Sequence, residues 1–380
     1  MSNYLILGGT GPIGTYLANE LCKNKNDHVY ITSRQDHAGN QNMHYIKGDA
    51  HNSDILKHCF YVIGEIDAIV DCLVWKTTDF KNIHELILSN CEMYVYISTS
   101  RLYSGSGEII TENTPDILND IDDKRFIQCD TYAVPKIQQE MILKKSRYDN
   151  YIIVRPYITY SEQRLPLGAD EKEVWLYRVL HGRSIVISND IANHYTSLTH
   201  GDDCAKAICS IIKNECTDKI VNISLVESLK WNQVLDIYSN VLVNRGYKVK
   251  IKHTDTNIKA ENIDYQVIYD RCFNRRFNTE LLSKYMDTES MIGMEYGLAQ
   301  SLNTFLNNPE FNPKMQNWSY QAELDKIAGE YADYKEFQTF NEWGKYILLR
   351  ILPISKLKRK LKNVYYFGKC KNCDKTIKRA

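Results

Sequence analysis

Short apolar runs and helical periodicity alternate along the first 160 residues. Runs of five to seven residues that predict β-strands lie at 3–7, 28–33, 43–47, 68–74, 94–98 and 151–156. Between them, apolar residues recur three or four positions apart, as at 55–62 and 83–91, which predicts helices. This alternation implies an α/β fold built on a doubly wound parallel sheet, which binds ligands at the carboxyl ends of its strands.

Three glycines follow the first predicted strand at three-residue spacing. Gly8 would allow a tight turn, Gly11 would let the backbone approach a pyrophosphate, and Gly14 would let the next helix pack against the strand. The free N–H groups and the dipole at a helix start favour phosphate groups. We therefore predict a dinucleotide site formed by Gly8, Thr10, Gly11, Pro12, Ile13 and Gly14. A tight turn without a ligand is the alternative.

The end of the second predicted strand bears on the choice of cofactor. An acidic residue there would bind the ribose 2′-hydroxyl of NAD, whereas a small residue followed by arginine accommodates the 2′-phosphate of NADP. The chain has Ser33 and Arg34, which favours NADP, although Arg34 at a loop start could simply be solvated. Further predicted cofactor contacts are Asp49 at the adenine edge, Ala50 and Pro156.

Side chains suited to proton transfer follow the fifth predicted strand. Thr99 ends that strand, and Tyr132 and Lys136 lie four residues apart, on one face of a predicted helix. An ammonium group near a phenol lowers its pKa from about 10, and a hydroxyl at a strand end can hold a substrate oxygen. We predict that these three residues form a proton-transfer site beside a hydride carrier. A surface Tyr–Lys pair is the alternative.

The composition is that of an ordinary globular protein, with 43% hydrophobic and 25% charged residues among 380. No apolar run of about eighteen residues occurs, so no membrane span is predicted. The eleven cysteines lack framework spacing and the ten histidines lack metal-ligand spacing. We therefore predict reduced thiols, no metal site and a cytoplasmic location.

Charge is distributed unevenly along a chain whose formal net charge is zero. Residues 345–380 hold nine lysines and three arginines against one acidic residue, a net charge of +11 that leaves −11 on the rest. An apolar stretch at 346–352 precedes the basic stretch KLKRKLK at 356–362. Contact with an anionic membrane surface through 345–362, a phosphate-rich partner, and docking on the acidic body are all compatible with this pattern. Cys370 and Cys373 have the spacing of one of the two cysteine pairs of a zinc site. We favour a free dithiol, with a metal shared across a dimer as the alternative.

These motifs together resemble the extended short-chain dehydrogenase/reductases, the NAD(P)-dependent nucleotide-sugar epimerases and dehydratases. The matching segments are GGTGPIG at 8–14, STSRLYSGSGEIITENTP at 98–115, YAVPK at 132–136, Arg155-Pro156, HGDDCAKA at 200–207 and VNIS at 221–224. Two later segments, 229–242 and 269–282, resemble the atypical branch related to chloroplast stem-loop-binding proteins. No resemblance extends beyond residue 344.

The resemblance implies a role for each predicted catalytic residue. Tyr132 would be the acid/base, Lys136 would lower its pKa and hold the nicotinamide ribose, and Thr99 would hydrogen-bond the reacting sugar oxygen. In the sugar-nucleotide 4,6-dehydratases, Asp and Glu follow that threonine and carry out water elimination. Ser100 and Arg101 occupy those positions here, which counts against dehydration because neither supplies a carboxyl group.

The resemblance also implies a Rossmann-type domain with a smaller substrate cap. We expect the Rossmann domain over 1–160, completed by about 186–228, and the cap at 161–185 and 229–343, followed by a basic appendage at 344–380. Substrate contacts are predicted at Ser100, and at Arg271 and Arg276, which with Arg275 are candidates for a diphosphate clamp. A solvated basic face is the alternative for each arginine.

The predicted function is that of a cytoplasmic NAD(P)-dependent oxidoreductase of the epimerase type, acting on a nucleotide-activated sugar. An NADPH-dependent keto-sugar reductase would use the same residues. A non-catalytic nucleic-acid-binding protein of this fold is a third possibility, which the intact set of Thr99, Tyr132 and Lys136 disfavours. Relatives often pair through a four-helix face, so a homodimer is expected, with peripheral membrane contact through 345–362 as a further possibility.

Overall fold

The computed structural model describes residues 1–105, 107–262 and 264–351. Its strands are β1 (Asn3–Leu7), β2 (His28–Ser33), β3 (Met43–Lys47), β4 (Ala68–Asp71), β5 (Met93–Ile97), β6 (Tyr151–Pro156), β7 (Thr159–Tyr160), β8 (Ile185–Ser188), β9 (Tyr195–Thr196), β10 (Thr199–His200), β11 (Ile220–Ile223), β12 (Leu229–Lys230) and β13 (Ile251–Thr254).

The helices alternate with these strands through the first half and dominate the second. They are α1 (Pro12–Leu21), α2 (Ser53–Ile63), α3 (Thr77–Leu88), α4 (Ile117–Asp120), α5 (Lys124–Cys129), α6 (Ala133–Lys144), α7 (Trp175–Leu180), α8 (Asn189–Ala192), α9 (Gly201–Lys213), α10 (Trp231–Asn244), α11 (Ile258–Glu261), α12 (Met294–Asn307), α13 (Trp318–Ala328) and α14 (Phe340–Ile351). Short 3₁₀ turns lie at Ser100–Leu102, Leu282–Lys284, Thr288–Ser290, Pro313–Met315 and Tyr334–Glu336, and a π-helical turn at Val267–Arg271.

Seven of the strands form one parallel sheet in the order β11-β6-β5-β4-β1-β2-β3. The chain builds the sheet outward from β1 through β2 to β3, then crosses back to β4 and continues in the other direction. The order therefore reverses between β1 and β4, and ligands of such sheets bind beside that reversal at the carboxyl ends of the strands. The prediction of a doubly wound parallel sheet is confirmed.

The strands are almost continuously apolar because helices cover both faces of the sheet. Along β1, Ile6 packs into the core on one side of the sheet, and Leu5 and Leu7 pack into the core on the other. Leu17 of α1 belongs to the first core and Phe80 of α3 to the second. A strand buried on both faces shows no polar alternation, which is why these strands appear in the sequence as short apolar runs.

The strand predicted at 68–74 ends earlier, at Asp71. The buried carboxylate of Asp71 accepts hydrogen bonds from the backbone N–H of Leu73 (2.9 Å), from Nε1 of Trp75 (2.7 Å) and from the hydroxyl of Tyr94 (2.6 Å). These bonds turn the chain out of the sheet immediately after Asp71. The apolar residues that follow are therefore part of a loop, although their hydrophobicity continues the strand pattern.

The strand at 185–188 does not join the central sheet, although the prediction places residues from about 186 onward in the Rossmann domain. Strand β8 pairs in parallel with β13, a strand of the predicted cap, and lies apart from the seven-stranded sheet. Helix α9 packs against α1, and β11 then joins the sheet edge beside β6. The backbone hydrogen bonds of 185–188 thus connect this strand with the predicted cap. The rest of the predicted domain division stays a prediction.

A buried ion-pair network connects helices α13 and α14 to α7 and to the loop between α7 and β8. Asp325 of α13 lies 2.7 Å from Arg178 and 2.9 Å from Arg183, and accepts a hydrogen bond of 2.6 Å from the hydroxyl of Tyr346 in α14. Because buried charges need such partners, the network fixes both helices in place. Residues 344–351 of the predicted basic appendage continue α14. Its remainder, 352–380, which includes the KLKRKLK stretch, Cys370 and Cys373, lies outside the described residues.

Within the described ranges, no helix is both long and apolar enough to span a bilayer.

Candidate active site

The glycine turn is tightly packed at two positions and open at a third. Gly8 has a φ of +71°, a conformation that favours glycine, and its N–H donates to Oγ1 of Thr32 over 2.9 Å. A β-carbon on Gly14 would lie 2.5 Å from the Cα of Gly9, so only glycine lets α1 approach the turn this closely. A β-carbon on Gly11 would meet nothing within 4 Å.

Helix α1 begins beside this opening without a side-chain cap. Gly11 is the N-cap residue and provides no side-chain hydrogen bond to the first turn of the helix. The N–H groups of this first turn and the free space beside Gly11 form a cradle that a β-carbon would fill. This donor set fits a phosphate group, as the glycine spacing predicts.

The end of β2 carries hydroxyl and basic groups where NAD-specific sites carry an acid. The hydroxyl oxygen of Ser33 accepts a hydrogen bond from the backbone N–H of Gln35 (3.1 Å), and it lies 3.0 Å from Nε2 of His37. The side chain of Arg34 is exposed. The predicted adenine contact Asp49, just after β3, is also exposed, and Ala50 beside it is buried.

The carboxylate of Asp49 already has a partner that sequence reasoning missed. Its Oδ1 atom accepts a hydrogen bond from the backbone N–H of His51 (3.1 Å) and lies 2.7 Å from Nδ1 of the His51 ring. The backbone hydrogen bond, with the side-chain one next, lowers the pKa of Asp49 below its ordinary value. The sequence signal for this contact was a histidine two residues after an aspartate, the spacing at which an Asx turn forms.

Thr99 and Tyr132 line one cavity of about 320 Å³ at the carboxyl ends of the strands, which we call the inner chamber. Oγ1 of Thr99 accepts a hydrogen bond from the backbone N–H of Arg101 (3.2 Å) and so caps the 3₁₀ turn after β5. The backbone N–H of Tyr132 donates to Oδ2 of Asp130 (3.0 Å) where α6 begins. The predicted cofactor contacts Ile13 and Pro156 line the same chamber.

Lys136 lies one helical turn after Tyr132 and is buried behind the wall of this chamber. Its Nζ atom donates to the carbonyl oxygen of Ile97 over 2.7 Å and lies 4.4 Å from the ring centre of Tyr96. Burial lowers the pKa of Lys136 to about 8, against the opposing effect of negative charge on Asp71. A lysine with this pKa can exchange its proton near neutral pH.

A buried network fixes helix α6, which carries Lys136 and begins directly after its N-cap residue Tyr132. Oε1 of Glu140 in α6 accepts hydrogen bonds from the hydroxyl of Ser98 (2.6 Å) and from Nε of Arg155 in β6 (2.9 Å). Arg155 also donates to the hydroxyl oxygen of Tyr103 over 2.7 Å. The helix is therefore tied to β5 and β6, whose ends form the chamber.

A larger cavity of about 750 Å³, the outer chamber, adjoins the inner one and extends to the predicted cap. The two chambers share Arg101, Tyr132, Gln266 and Arg271. The cap contributes Lys259, Asp264 and Tyr320 to the outer chamber, among others. One cleft thus runs from the strand ends, where Thr99 and Tyr132 lie, to residues more than 180 positions later in the chain.

The predicted substrate residues divide between the cleft and the interior. Arg271 lines both chambers, and its Nε donates to the carbonyl oxygen of Gly168 over 3.1 Å. Arg275 is fully buried, donates to the carbonyl oxygens of Tyr103 and Ser104 at 3.1 Å each, and so ties this loop to the Rossmann-type half.

Ser100 and Arg276 are not brought to either chamber in the described part of the chain. Ser100 is fully buried because its hydroxyl donates to the carbonyl oxygen of Arg155 over 2.6 Å. The guanidinium of Arg276 lies 5.3 Å from the ring centre of Tyr195. The structure therefore gives no support to substrate contacts at these two positions.

Sequence reasoning did not assign several residues that line the inner chamber. These are Arg101, Arg164, Gln266 and Asp270. They come from three separate loops and share no local motif. Arg101 alone had a signal, since it replaces an acidic residue of the dehydratases. In the part of the chain that the structure describes, no three His, Cys, Asp or Glu side chains cluster as metal ligands would.

Comparison with known proteins identifies relatives of this fold. The model of the NAD dependent epimerase/dehydratase family matches residues 4–224, more than half of the chain. No curated protein matches the sequence.

Solved structures resemble about four fifths of the chain. The dTDP-glucose 4,6-dehydratase of Bacillus anthracis, in complex with NAD, superposes with a TM-score of 0.61 at 18% identity, over 81% of this chain and 98% of its own. The UDP-glucuronic acid 4-epimerase of Bacillus cereus, also with NAD, has a TM-score of 0.59 at 16% identity, over 81% and 100%. The UDP-N-acetylglucosamine 4-epimerase of Methanobrevibacter ruminantium has a TM-score of 0.61 at 17% identity, over 80% and 98%. At these identities the likeness concerns the fold.

Proposed function

Because the chain belongs to the NAD dependent epimerase/dehydratase family, we propose that it epimerises a nucleotide-activated sugar with NAD(P) as its cofactor. One observation carries this proposal. Thr99 and Tyr132 share a chamber at the strand ends with Ile13 of the glycine turn, and Lys136 lies one helical turn behind. The proposed proton-transfer residues and the start of α1, which is proposed to hold the phosphates, therefore border the same space.

The glycine turn would hold the cofactor. The open space at Gly11 and the uncapped start of α1 fit its pyrophosphate, and Ser33 with Arg34 would lie at its adenosine ribose. The bound cofactor would supply reversible hydride transfer at a sugar carbon. An epimerase returns the hydride to the opposite face, so the cofactor leaves the cycle unchanged.

The chain's own residues would manage the proton and the orientation of the sugar. Oγ1 of Thr99 would hydrogen-bond the reacting sugar oxygen, and the phenol oxygen of Tyr132 would take and return the hydroxyl proton. Lys136 would hold the ribose and, as an ammonium ion, favour the phenolate of Tyr132. The lack of an acid/base pair at Ser100 and Arg101 favours epimerisation over dehydration.

A keto-sugar reductase is the second candidate, favoured by Ser33 and Arg34 at the end of β2. Such an enzyme would oxidise NADPH to NADP⁺ as it reduces the keto group, and would release the NADP⁺ after each turnover. The distinguishing experiment is to denature the purified protein and identify any released nucleotide by mass and absorbance. Near-stoichiometric NAD⁺ or NADP⁺ would support epimerisation. An empty protein that binds NADPH much better than NADH would support reduction, and binding of neither would contradict both.

Replacement of Tyr132 by phenylalanine tests the proposed chemistry. It removes only the phenol oxygen, so turnover of nucleotide sugars should fall at least about 100-fold, the size of an acid/base contribution. Cofactor affinity should change little. Turnover like that of the unaltered protein would remove Tyr132 from the mechanism.

Two partner proposals complete this function. We propose a homodimer through the face of α3 and α6, which carries exposed Gln138 and Met141. Light scattering tests whether the chain is a dimer.

We also propose that the C-terminal part of the chain contacts an anionic membrane surface. The support is an exposed apolar face on α14, formed by Phe340, Leu348 and Ile351, directly before the basic sequence that follows.

A further inference from the structure

Arg101 contacts both residues that would handle the reacting hydroxyl, Thr99 through its backbone and Tyr132 through its side chain. It lies in the 3₁₀ turn directly after β5, and its backbone N–H donates to Oγ1 of Thr99 over 3.2 Å. Its Cζ atom lies 5.5 Å from the ring centre of Tyr132. The side chain lines the inner and the outer chamber.

The backbone of this turn is held firmly. The hydroxyl of Ser100 donates to the carbonyl oxygen of Arg155 over 2.6 Å, and Thr99 caps the turn from the other side. The backbone from which the side chain of Arg101 extends to the cleft is therefore fixed at the end of β5.

Arg101 forms only a weak ion pair with the part of the protein that the structure describes. Its Nη2 atom lies 3.5 Å from Oδ1 of Asp130, a long contact for an ion pair. The other oxygen of Asp130 accepts the backbone N–H groups of Tyr132 (3.0 Å) and Val134 (2.9 Å), so this carboxylate mainly serves the start of α6. The side chain of Arg101 is 14% exposed and lines both chambers, so its guanidinium can reach a ligand in the cleft.

A guanidinium fork matches a carboxylate through two parallel hydrogen bonds. The position in the cleft decides which anionic group it would meet. Arg101 lines the inner chamber together with Thr99 and Tyr132, the residues proposed to handle the reacting hydroxyl, so the proposed function places the sugar beside it. The anionic group nearest Arg101 would then belong to the sugar itself.

Resting on the proposed function, we propose that Arg101 recognises a carboxylate on the sugar and that the substrates are nucleotide-activated uronic acids. Arg101 would be a specificity-determining residue at a position where the dehydratases carry an acid. A neutral sugar would leave its guanidinium without a partner in a partly desolvated site, which lowers affinity.

The test compares paired probes that differ only in the carboxylate. UDP-glucose and UDP-glucuronic acid, and the corresponding dTDP compounds, are titrated calorimetrically into the full chain loaded with NAD⁺, and turnover is followed for each. Arg101→Met removes the charge, Arg101→Lys keeps the charge but loses the fork, and Arg147→Met is the matched control. Arg147 is an exposed arginine that contacts Glu85 and Tyr148 and lies outside both chambers.

The unaltered chain should bind the uronic acid at least about 10-fold more tightly than the neutral sugar. Arg101→Met should weaken uronic acid binding by about 10- to 100-fold, the range for a hydrogen bond to a charged group, and leave neutral-sugar binding within about 3-fold. Arg101→Lys should fall between them, and Arg147→Met should match the unaltered chain.

Two results would overturn the assignment while leaving the proposed function intact. Equal losses for both sugars in Arg101→Met would mean that Arg101 acts on Tyr132, and no loss for either would remove it from the site. If no probe binds or turns over in the unaltered chain, the proposed function fails, and this inference fails with it.

Discussion

The Nζ atom of Lys136 lies 2.7 Å from the carbonyl oxygen of Ile97, the last residue of β5. The predicted catalytic ammonium is thus held against the strand end that leads directly to Thr99. Burial lowers the pKa of this lysine to about 8, although the negative charge of Asp71 opposes the shift. The protein maintains a costly buried cation at the point where a hydride carrier would place its ribose.

This cost predicts a pH dependence of stability. Because the pKa of Lys136 is lower in the folded chain than in the unfolded chain, the unfolded state binds more protons between pH 8 and about 10.5. The free energy of unfolding, measured against Lys136→Met, should therefore rise by about 3 kcal/mol as pH increases through that window, and stay constant below it. Denaturant titrations of both proteins from pH 6 to 10.5 measure this difference. Parallel curves would show that the lysine is not destabilised by burial.

Most of the nucleotide-binding half could be predicted because its signals are local. The glycine spacing at 8–14 reflects backbone constraints within one turn. The four-residue spacing of Tyr132 and Lys136 likewise reflects the geometry of a single helix. Apolar runs predicted the strands because a sheet covered on both sides buries nearly every position of its central strands. The exception, the early end of β4, arises from the side-chain bonds of Asp71 with Trp75 and Tyr94, which no periodicity records.

The substrate side could not be predicted because it depends on long-range placement. Arg271, Arg275 and Arg276 lie within six residues, yet one lines the cleft, one is fully buried and one stacks on Tyr195. A π-helical turn ends at Arg271, and the composition of this segment cannot show which of the three arginine side chains reaches the cleft. The sequence predicted a substrate contact at Ser100 because it does not reveal the hydrogen bond that ties Ser100 to the backbone of Arg155.

Substitution of Gly11 separates cofactor binding from folding. A β-carbon there meets nothing within 4 Å, so Gly11→Ala should fold and lose no more than about 1 kcal/mol of stability. The added methyl group would occupy the space beside the helix N–H groups, and the affinity for NAD⁺ or NADPH should fall at least about 10-fold. Fluorescence titration measures the affinity, and thermal unfolding measures the fold.

Two other glycines supply the controls for that experiment. Gly344→Ala, also in open space but within α14, should leave cofactor affinity unchanged. Gly14→Ala should impair folding itself, since its β-carbon would lie 2.5 Å from the backbone of Gly9. Undiminished cofactor affinity in Gly11→Ala would show that the phosphates bind elsewhere.

Glu140→Gln should destabilise the protein strongly. It leaves the guanidinium of Arg155 buried without its counter-charge, and breaking such a buried pair costs about 3–5 kcal/mol. The matched substitution Glu85→Gln affects an exposed pair with Arg147 and should cost less than about 1 kcal/mol. Urea unfolding of both variants gives the comparison. Equal stabilities would mean that the network does not fix α6.

The C-terminal proposal leads to a prediction that needs the whole chain. Leu348 and Ile351 of α14 are 51% and 63% exposed, and the sequence that follows, 352–380, holds ten basic residues and one acidic residue. Apolar contact and electrostatic attraction should act together, because neither alone holds a protein firmly on a bilayer. The full chain should therefore sediment with vesicles that contain phosphatidylglycerol, and not with vesicles of phosphatidylcholine alone.

Each contribution to vesicle binding can be removed separately. Salt at about 0.5 M should release the protein by screening the basic residues, and Leu348→Glu with Ile351→Glu should weaken binding at low salt by removing the apolar contact. Tyr61→Glu, at an exposed position on α2, should bind as the unaltered chain does. If the glutamate variants bind vesicles normally, the α14 face is not part of the contact. If the full chain ignores anionic vesicles but binds RNA in a salt-dependent way, the basic segment serves a phosphate-rich partner instead.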